Sequence, residues 1–182
     1  MALLYPAWMD DIIPLDAGFW KLLLAPKSLR PQILNLLARL AEYAPLLVLD
    51  GGNQFNAFRV ARVVRGQPEV LKRIKISRAF TCYQMLSLLE GLHPDHETIL
   101  LLDFLATFYD ESASFPDRNR LLKICLSHIR NLSQHNGLLV TVHPPAIVSP
   151  ESESLIAQLA READGVWTPE PAARVVSQPA LF

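Results

Sequence analysis

Short, unbroken apolar runs alternate with amphipathic stretches along most of the chain. Five runs read as strands: Trp20 to Ala25, Leu46 to Asp50, Ile74 to Ala79, Ile99 to Leu102 and Leu138 to Val142. Between them the apolar positions recur at helical spacing, as in Ile33, Leu34, Leu37 and Leu40, which places them on one face of a helix. The pattern predicts helices over Pro31 to Tyr43, Asn56 to Arg65, Tyr83 to Leu92, Asp117 to Gln134 and Ser152 to Glu162. Gly66 with Pro68 and Asn136 with Gly137 serve as stops, and Ser152 with Glu153 lies where capping residues belong. Gly165 to Thr168 and Arg174 to Ser177 read as a closing pair of strands around a Pro-Glu-Pro turn.

Strands that are apolar throughout are buried on both faces, which is the mark of a mainly parallel sheet with helices on either side. The expected architecture is therefore one α/β domain over residues 19–182, preceded by a lead-in segment, residues 1–18, that packs on it. The 182 residues suffice for one substantial core, and 51% hydrophobic content argues against disorder. A net charge of -1 provides no global field toward nucleic acid or membrane, so such binding needs a local patch. The N-terminal stretch lacks a basic segment followed by a long apolar one, and the run Thr98 to Phe108 is interrupted by Asp103. Cys82 and Cys125 lie far apart and read as free buried thiols. Together these features predict a soluble cytoplasmic protein.

The chemistry turns on the stretch between the first strand and the first long helix. A phosphate-binding loop in this setting reads G-x-x-x-x-G-K-[S/T]: glycines let backbone N–H groups close on phosphates, lysine pairs with them, and the hydroxyl binds Mg²⁺. Here the sequence is Ala25-Pro26-Lys27-Ser28-Leu29-Arg30-Pro31-Gln32. Ala25 and Arg30 take the glycine positions, Pro31 the lysine position and Gln32 the hydroxyl position. Pro31 also lacks an N–H, although it suits the first turn of a helix.

Several segments, taken in order, resemble the core ATPase domain of the RecA-like superfamily, in the branch of RecA/RadA recombinases and KaiC-type ATPases. LLVLDGGNQFNAFRVARVV resembles that family's second-strand motif, of the form I-D-T-E-G-T-F-R-P-E-R. LKRIKISRAFTCYQMLSLLEGL resembles the next strand and helix, and ETILLLDFLATFYDES the Walker B strand. RNRLLKICLSHIRNLSQHNGLLVTVHPP resembles the long helix and the strand behind it, and ADGVWTPEPAARVVSQ the closing hairpin. The resemblance spans roughly residues 18–178. It implies a P-loop NTPase fold without a functional P-loop. In the family, the acid of the second-strand motif activates the attacking water, and the matching position is Gly52. The Walker B aspartate is matched by Asp103 and the γ-phosphate-sensing residue by His143. Phosphoryl transfer depends on positioning and charge stabilisation, so losing lysine, hydroxyl and base together implies no useful hydrolysis and no bound cofactor. Without the loop, Asp103 reads as a turn cap and His143 as a satisfied strand-end residue.

The implied role is a pseudo-ATPase that acts by binding protein: an active RecA-like ATPase, a second copy of itself or a repair complex, in recombination or repair. A second reading is a nucleic-acid-binding module. Arg59, Arg62, Arg65, Lys72, Arg73, Lys75 and Arg78 form the densest basic stretch, with the first three on one helical face, and such a stripe can track a phosphate backbone. The bland alternative is a solvated helix face beside acidic neighbours. A third reading is a noncanonical nucleotide-binding enzyme using Asp103 and His143 at the carboxyl ends of neighbouring strands. His93 to Glu97 reads as a surface loop rather than a metal site. Phe58-Arg59-Val60-Ala61 matches the F-x-x-A pattern of recombinase self-assembly, but inside a predicted helix whose apolar members are expected to face the sheet.

Overall fold

The computed structural model describes residues 7–65, 67–93 and 97–170. The five apolar runs are strands β1 (Trp20–Leu24), β2 (Leu46–Asp50), β3 (Ile74–Arg78), β4 (Thr98–Leu102) and β5 (Leu138–Val142), joined by β6 (Gly165–Trp167) in one sheet of order β3-β2-β4-β5-β1-β6. Every pairing is parallel. β6 lies beside β1, with Leu22 opposite Val166. Its expected partner, residues 174–177, lies outside the described residues, as do 1–6 of the lead-in, Gly66 and the middle of the His93 to Glu97 loop.

Side chains alternate along each strand, so the four inner strands β1, β2, β4 and β5 each feed two cores. Leu23, Leu46, Val48, Leu100, Leu102 and Leu139 pack on one face against α2 (Arg30–Tyr43), α3 (Ala57–Val63) and α4 (Pro68–Lys72). Leu22, Leu49, Leu101, Leu138, Val140 and Val142 pack on the other against α5 (Cys82–Glu90), α6 (Phe115–Ser133) and α7 (Pro150–Glu162). Met9 and Ile12 of α1 (Trp8–Ile12), both without exposed surface, join the first of these cores. The architecture is α/β with a parallel sheet covered on both faces by helices.

Two of the boundaries that differ from the sequence pattern turn on single residues. Pro68 does not end a helix; it opens α4 at a position where proline's missing N–H costs nothing. The cap of α7 is Ser149, with Ser152 three residues on: the Ser149 hydroxyl accepts from the Ser152 N–H at 3.2 Å and the Ser152 hydroxyl accepts from the Ser149 N–H at 2.9 Å, a reciprocal capping box. The two cysteines are free and buried. Burial pushes both thiols up, Cys125 to about 12, so both stay protonated at neutral pH. No helix among the described residues is long and apolar enough to cross a membrane.

Candidate functional site

In parallel α/β sheets, ligands bind outside the carboxyl ends of the strands. The register brings the ends of five strands together here: Leu24 lies opposite Val142, and Asp50 lies between Leu102 and Arg78. The residues that follow are Ala25, His143, Asp103 and Gly51, so Ala25, Gly52, Asp103 and His143 are gathered at one edge as their sequence positions predict.

Asp103 is the hub. Its backbone is left-handed, with φ 50° and ψ 53°, a conformation Asp tolerates better than most residues. It precedes a 3-10 turn, Phe104–Phe108, yet its side chain makes no capping bond to that turn, which corrects the expected turn-cap role. Its Oδ2 accepts from Gln54 Nε2 at 2.8 Å and its Oδ1 from the His143 N–H at 3.0 Å. Its own N–H donates to Thr141 Oγ1 at 2.9 Å. The carboxylate thus bridges the loop after β2 and the end of β5 while only 4% of the residue is exposed.

The chain of bonds runs further in both directions. His143 Nδ1 lies 2.7 Å from the carbonyl oxygen of Ala25. A carbonyl only accepts, so Nδ1–H is the donor in this contact. Nε2 has no partner among the described residues and His143 is 2% exposed, so within them the expectation of a satisfied strand-end histidine holds for one ring nitrogen only. On the other side, Asp50 Oδ1 and Oδ2 accept from the N–H groups of Gln54 and Phe55 at 2.9 and 2.8 Å. Arg78 Nε approaches Asp50 Oδ2 at 3.7 Å. Tyr109, whose hydroxyl has no partner among the described residues, stays protonated: burial pushes its phenol up, and the charge of Asp103 adds to that.

Gly52 sits against this hub. A Cβ there would lie 2.4 Å from Asp103 Oδ2 and 2.7 Å from Asp103 Cβ. The space that a side chain at position 52 needs is the space that the Asp103 carboxylate occupies.

The loop after β1 is compact. Pro26 leads into a 3-10 turn, Lys27–Leu29, that runs directly into α2. Leu29 is 4% exposed and belongs to the core, pinning the loop down. Lys27, Ser28 and Arg30 are exposed, while Pro31 and Gln32 are half-buried. Gln32 Oε1 is buried without a partner among the described residues.

The basic stretch does not form one stripe. α3 ends at Val63, so Arg65 lies in the following turn and leaves the face shared by Arg59 and Arg62. Lys72 pairs with Glu69 at 2.9 Å, Lys75 with Glu97 at 2.7 Å, and Arg73 Nη1 donates to the Glu42 carbonyl at 3.0 Å. With Arg78 beside Asp50, four of the seven cations are held by neighbours of the chain itself, which supports the solvated-face alternative for that half. Phe58 is also a correction: it points away from the sheet and is 90% exposed. Val60 and Val64, four residues apart and buried, set the phase of α3 and leave Phe58 on the opposite side. No group of three or more His, Cys, Asp or Glu able to hold a metal occurs among the described residues.

The sequence pattern did not single out Gln54, Asp50 or Thr141. A signal existed for two of them. Asp50 stands at a strand end before Gly-Gly-Asn, where aspartate accepts from the N–H groups of a turn, and Thr141 is the one polar residue in the buried run Leu138 to Val142.

No family model matches the chain, and no curated protein matches its sequence. Solved structures do match in three dimensions. The RadB recombinase superposes with a TM-score of 0.59 at 13% identity, over 90% of this chain and 82% of that one. The flagellar accessory protein FlaH from Methanocaldococcus jannaschii superposes with a TM-score of 0.60 at 12% identity, over 93% of this chain and 79% of that one. The likeness is one of fold.

Proposed function

We propose that this RecA-like fold serves as a scaffold without ATP turnover, which acts through protein contacts as an accessory in DNA recombination or repair. The observation that carries the reading is the occupation of the Gly52 position by Asp103, whose Oδ2 would stand 2.4 Å from a Cβ there. In an active relative that position holds the acid that activates water, and the Walker B aspartate faces the metal. Here the aspartate is turned into the protein, and both of its oxygens already accept hydrogen bonds from Gln54 and His143. Binding Mg²⁺ through Asp103 would require breaking bonds in a nearly dry environment, where an unpaired donor is costly. Pro31 supports the same reading, since it supplies neither a cation nor an N–H where an anion would sit. The degenerate phosphate loop, the missing lysine and the missing base then form one consistent change rather than three.

Recombination or repair as the setting rests on the likeness to the RadB recombinase; a flagellar setting has the same structural support through FlaH. Phosphate release under Mg·ATP tests the loss of turnover. Release is expected to equal the buffer blank, with or without single-stranded DNA. Mg-dependent release that follows the protein through a second column and disappears in Asp103→Asn would overturn the reading.

A further inference from the structure

Among the described residues, Arg118 is the one lysine or arginine that the fold buries, at 5% exposed. Its Nη1 donates to the Phe108 carbonyl at 2.9 Å and its Nη2 to Glu151 Oε2 at 2.5 Å. Its Nε–H is buried and has no acceptor among the described residues. The same holds for the hydroxyl of Tyr109, which keeps its proton. Both residues line one hollow of about 190 Å³, where the loops after β4 and β5 meet the start of α7. Buried donors almost always find an acceptor, so two unused ones beside one hollow mark a place where an acceptor belongs. The hollow is larger than a single bridging water needs.

The surrounding charge narrows the choice of acceptor. Exposed Glu111 and half-buried Glu151 line the same hollow, and exposed Glu153 lies in the first turn of α7. An anionic guest would bring its charge against these carboxylates, and Arg118 already has a counter-ion in Glu151. A neutral acceptor avoids that repulsion, and a backbone carbonyl is a strong one. A cation beside that carbonyl gains from the acids. Ile147, 86% exposed, also lines the hollow and supplies an apolar lip. The aliphatic stems of lysine and arginine lie well on such surfaces.

We infer that this hollow receives a basic segment of a partner protein. One backbone carbonyl of the segment accepts from the Arg118 Nε–H and the Tyr109 hydroxyl, and its lysines or arginines meet Glu111, Glu151 and Glu153. The inference rests on the proposed action through protein contacts and supplies the chemistry of the partner. Nucleic acid is disfavoured at this place, because its phosphates would face the same three carboxylates.

The test applies the labelled full chain to an array of short capped peptides that differ in their number of lysines and arginines, with acidic peptides as controls. Retention is expected to rise with basic content and to fall as salt rises. For the best peptide, titrated in solution, Glu111→Lys should weaken binding at least about tenfold by reversing a rim charge. Tyr109→Phe should weaken it about fivefold by removing one hydrogen bond. The first changes an exposed side chain and the second keeps the ring, so both variants should stay folded. In nitrogen-edited NMR the Arg118 Nε–H signal should shift when the basic peptide is added and stay in place with an acidic one. Equal retention of basic and acidic peptides would overturn the inference. So would an affinity that both variants leave unchanged, or an Nε–H signal that the peptide does not move. A labelled oligo-dT strand that binds the wild type and is lost in Tyr109→Phe would also overturn it, by making nucleic acid the occupant. Phosphate release from Mg·ATP is measured on the same preparation, which keeps the two failures distinguishable. Release alongside peptide binding would defeat the loss of turnover alone, and neither release nor peptide binding would defeat this inference alone.

Discussion

Replacing Asp103 with alanine should remove about 4 kcal/mol of folding stability, a large share of what a domain of this size possesses. The carboxylate accepts two hydrogen bonds, from Gln54 Nε2 at 2.8 Å and from the His143 N–H at 3.0 Å. Bonds to a buried charged acceptor contribute about 1.5–3 kcal/mol each, and truncating the acceptor leaves both donors unsatisfied. Alanine also sits poorly at φ 50°, which adds about 1 kcal/mol. Asp103→Asn should lose only about half as much, because asparagine tolerates the left-handed backbone and keeps one acceptor oxygen. Urea denaturation measures both, as a shift in midpoint at unchanged slope. A loss below about 1 kcal/mol for Asp103→Ala would mean that the carboxylate is not the hub of the strand ends.

Gly52→Ala should be the next most damaging change, at about 3 kcal/mol, by overpacking against a neighbour that cannot move freely. The obstacle is the Asp103 side chain, at 2.4 Å for Oδ2, 2.7 Å for Cβ and 2.9 Å for Cγ. Asp103 is held from both sides, so yielding means breaking one of its bonds. A double-mutant cycle isolates the effect. Asp103→Gly removes the obstacle and suits the positive φ, so Gly52→Ala added to it should cost about 2 kcal/mol less than in the wild type. Additive losses would show that the clash lies elsewhere. The corollary concerns activity: reinstating a glutamate at position 52 alone should destabilise the protein rather than revive hydrolysis.

The inner strands β1, β2, β4 and β5 were legible because each is an apolar run buried largely on both faces, and β2 and β5 match their runs to the residue; β3, at the sheet edge, alternates apolar and polar residues. The helices were legible from their periodicity, with ends displaced by one to a few residues where caps decide. α4 was not, because Pro68 carries the same letter whether it stops one helix or starts another. At the candidate site the sequence placed Ala25, Gly52, Asp103 and His143 at one edge, since strand ends in a parallel sheet converge. It did not disclose that Asp103 turns inward. That depends on a left-handed backbone at a non-glycine residue and on a loop, Gly51 to Phe55, whose N–H groups fold around Asp50. The direction of Phe58 was missed for a related reason. Hydrophobicity suggested an inward side chain, whereas the phase of α3 is fixed by Val60 and Val64. Lys72 has its partner Glu69 one turn back in the same helix, but those of Arg73, Lys75 and Arg78 were not legible because Glu42, Glu97 and Asp50 come from other elements.

The central claim is that the strand ends are closed around Asp103 and leave no working nucleotide site. The most direct measurement is a calorimetric titration of the protein with Mg·ATP, repeated with the metal chelated. No binding heat is expected in either titration up to about millimolar nucleotide, a free energy weaker than about -4 kcal/mol. Micromolar binding that depends on Mg²⁺ would contradict it and return Asp103 to service as a metal ligand.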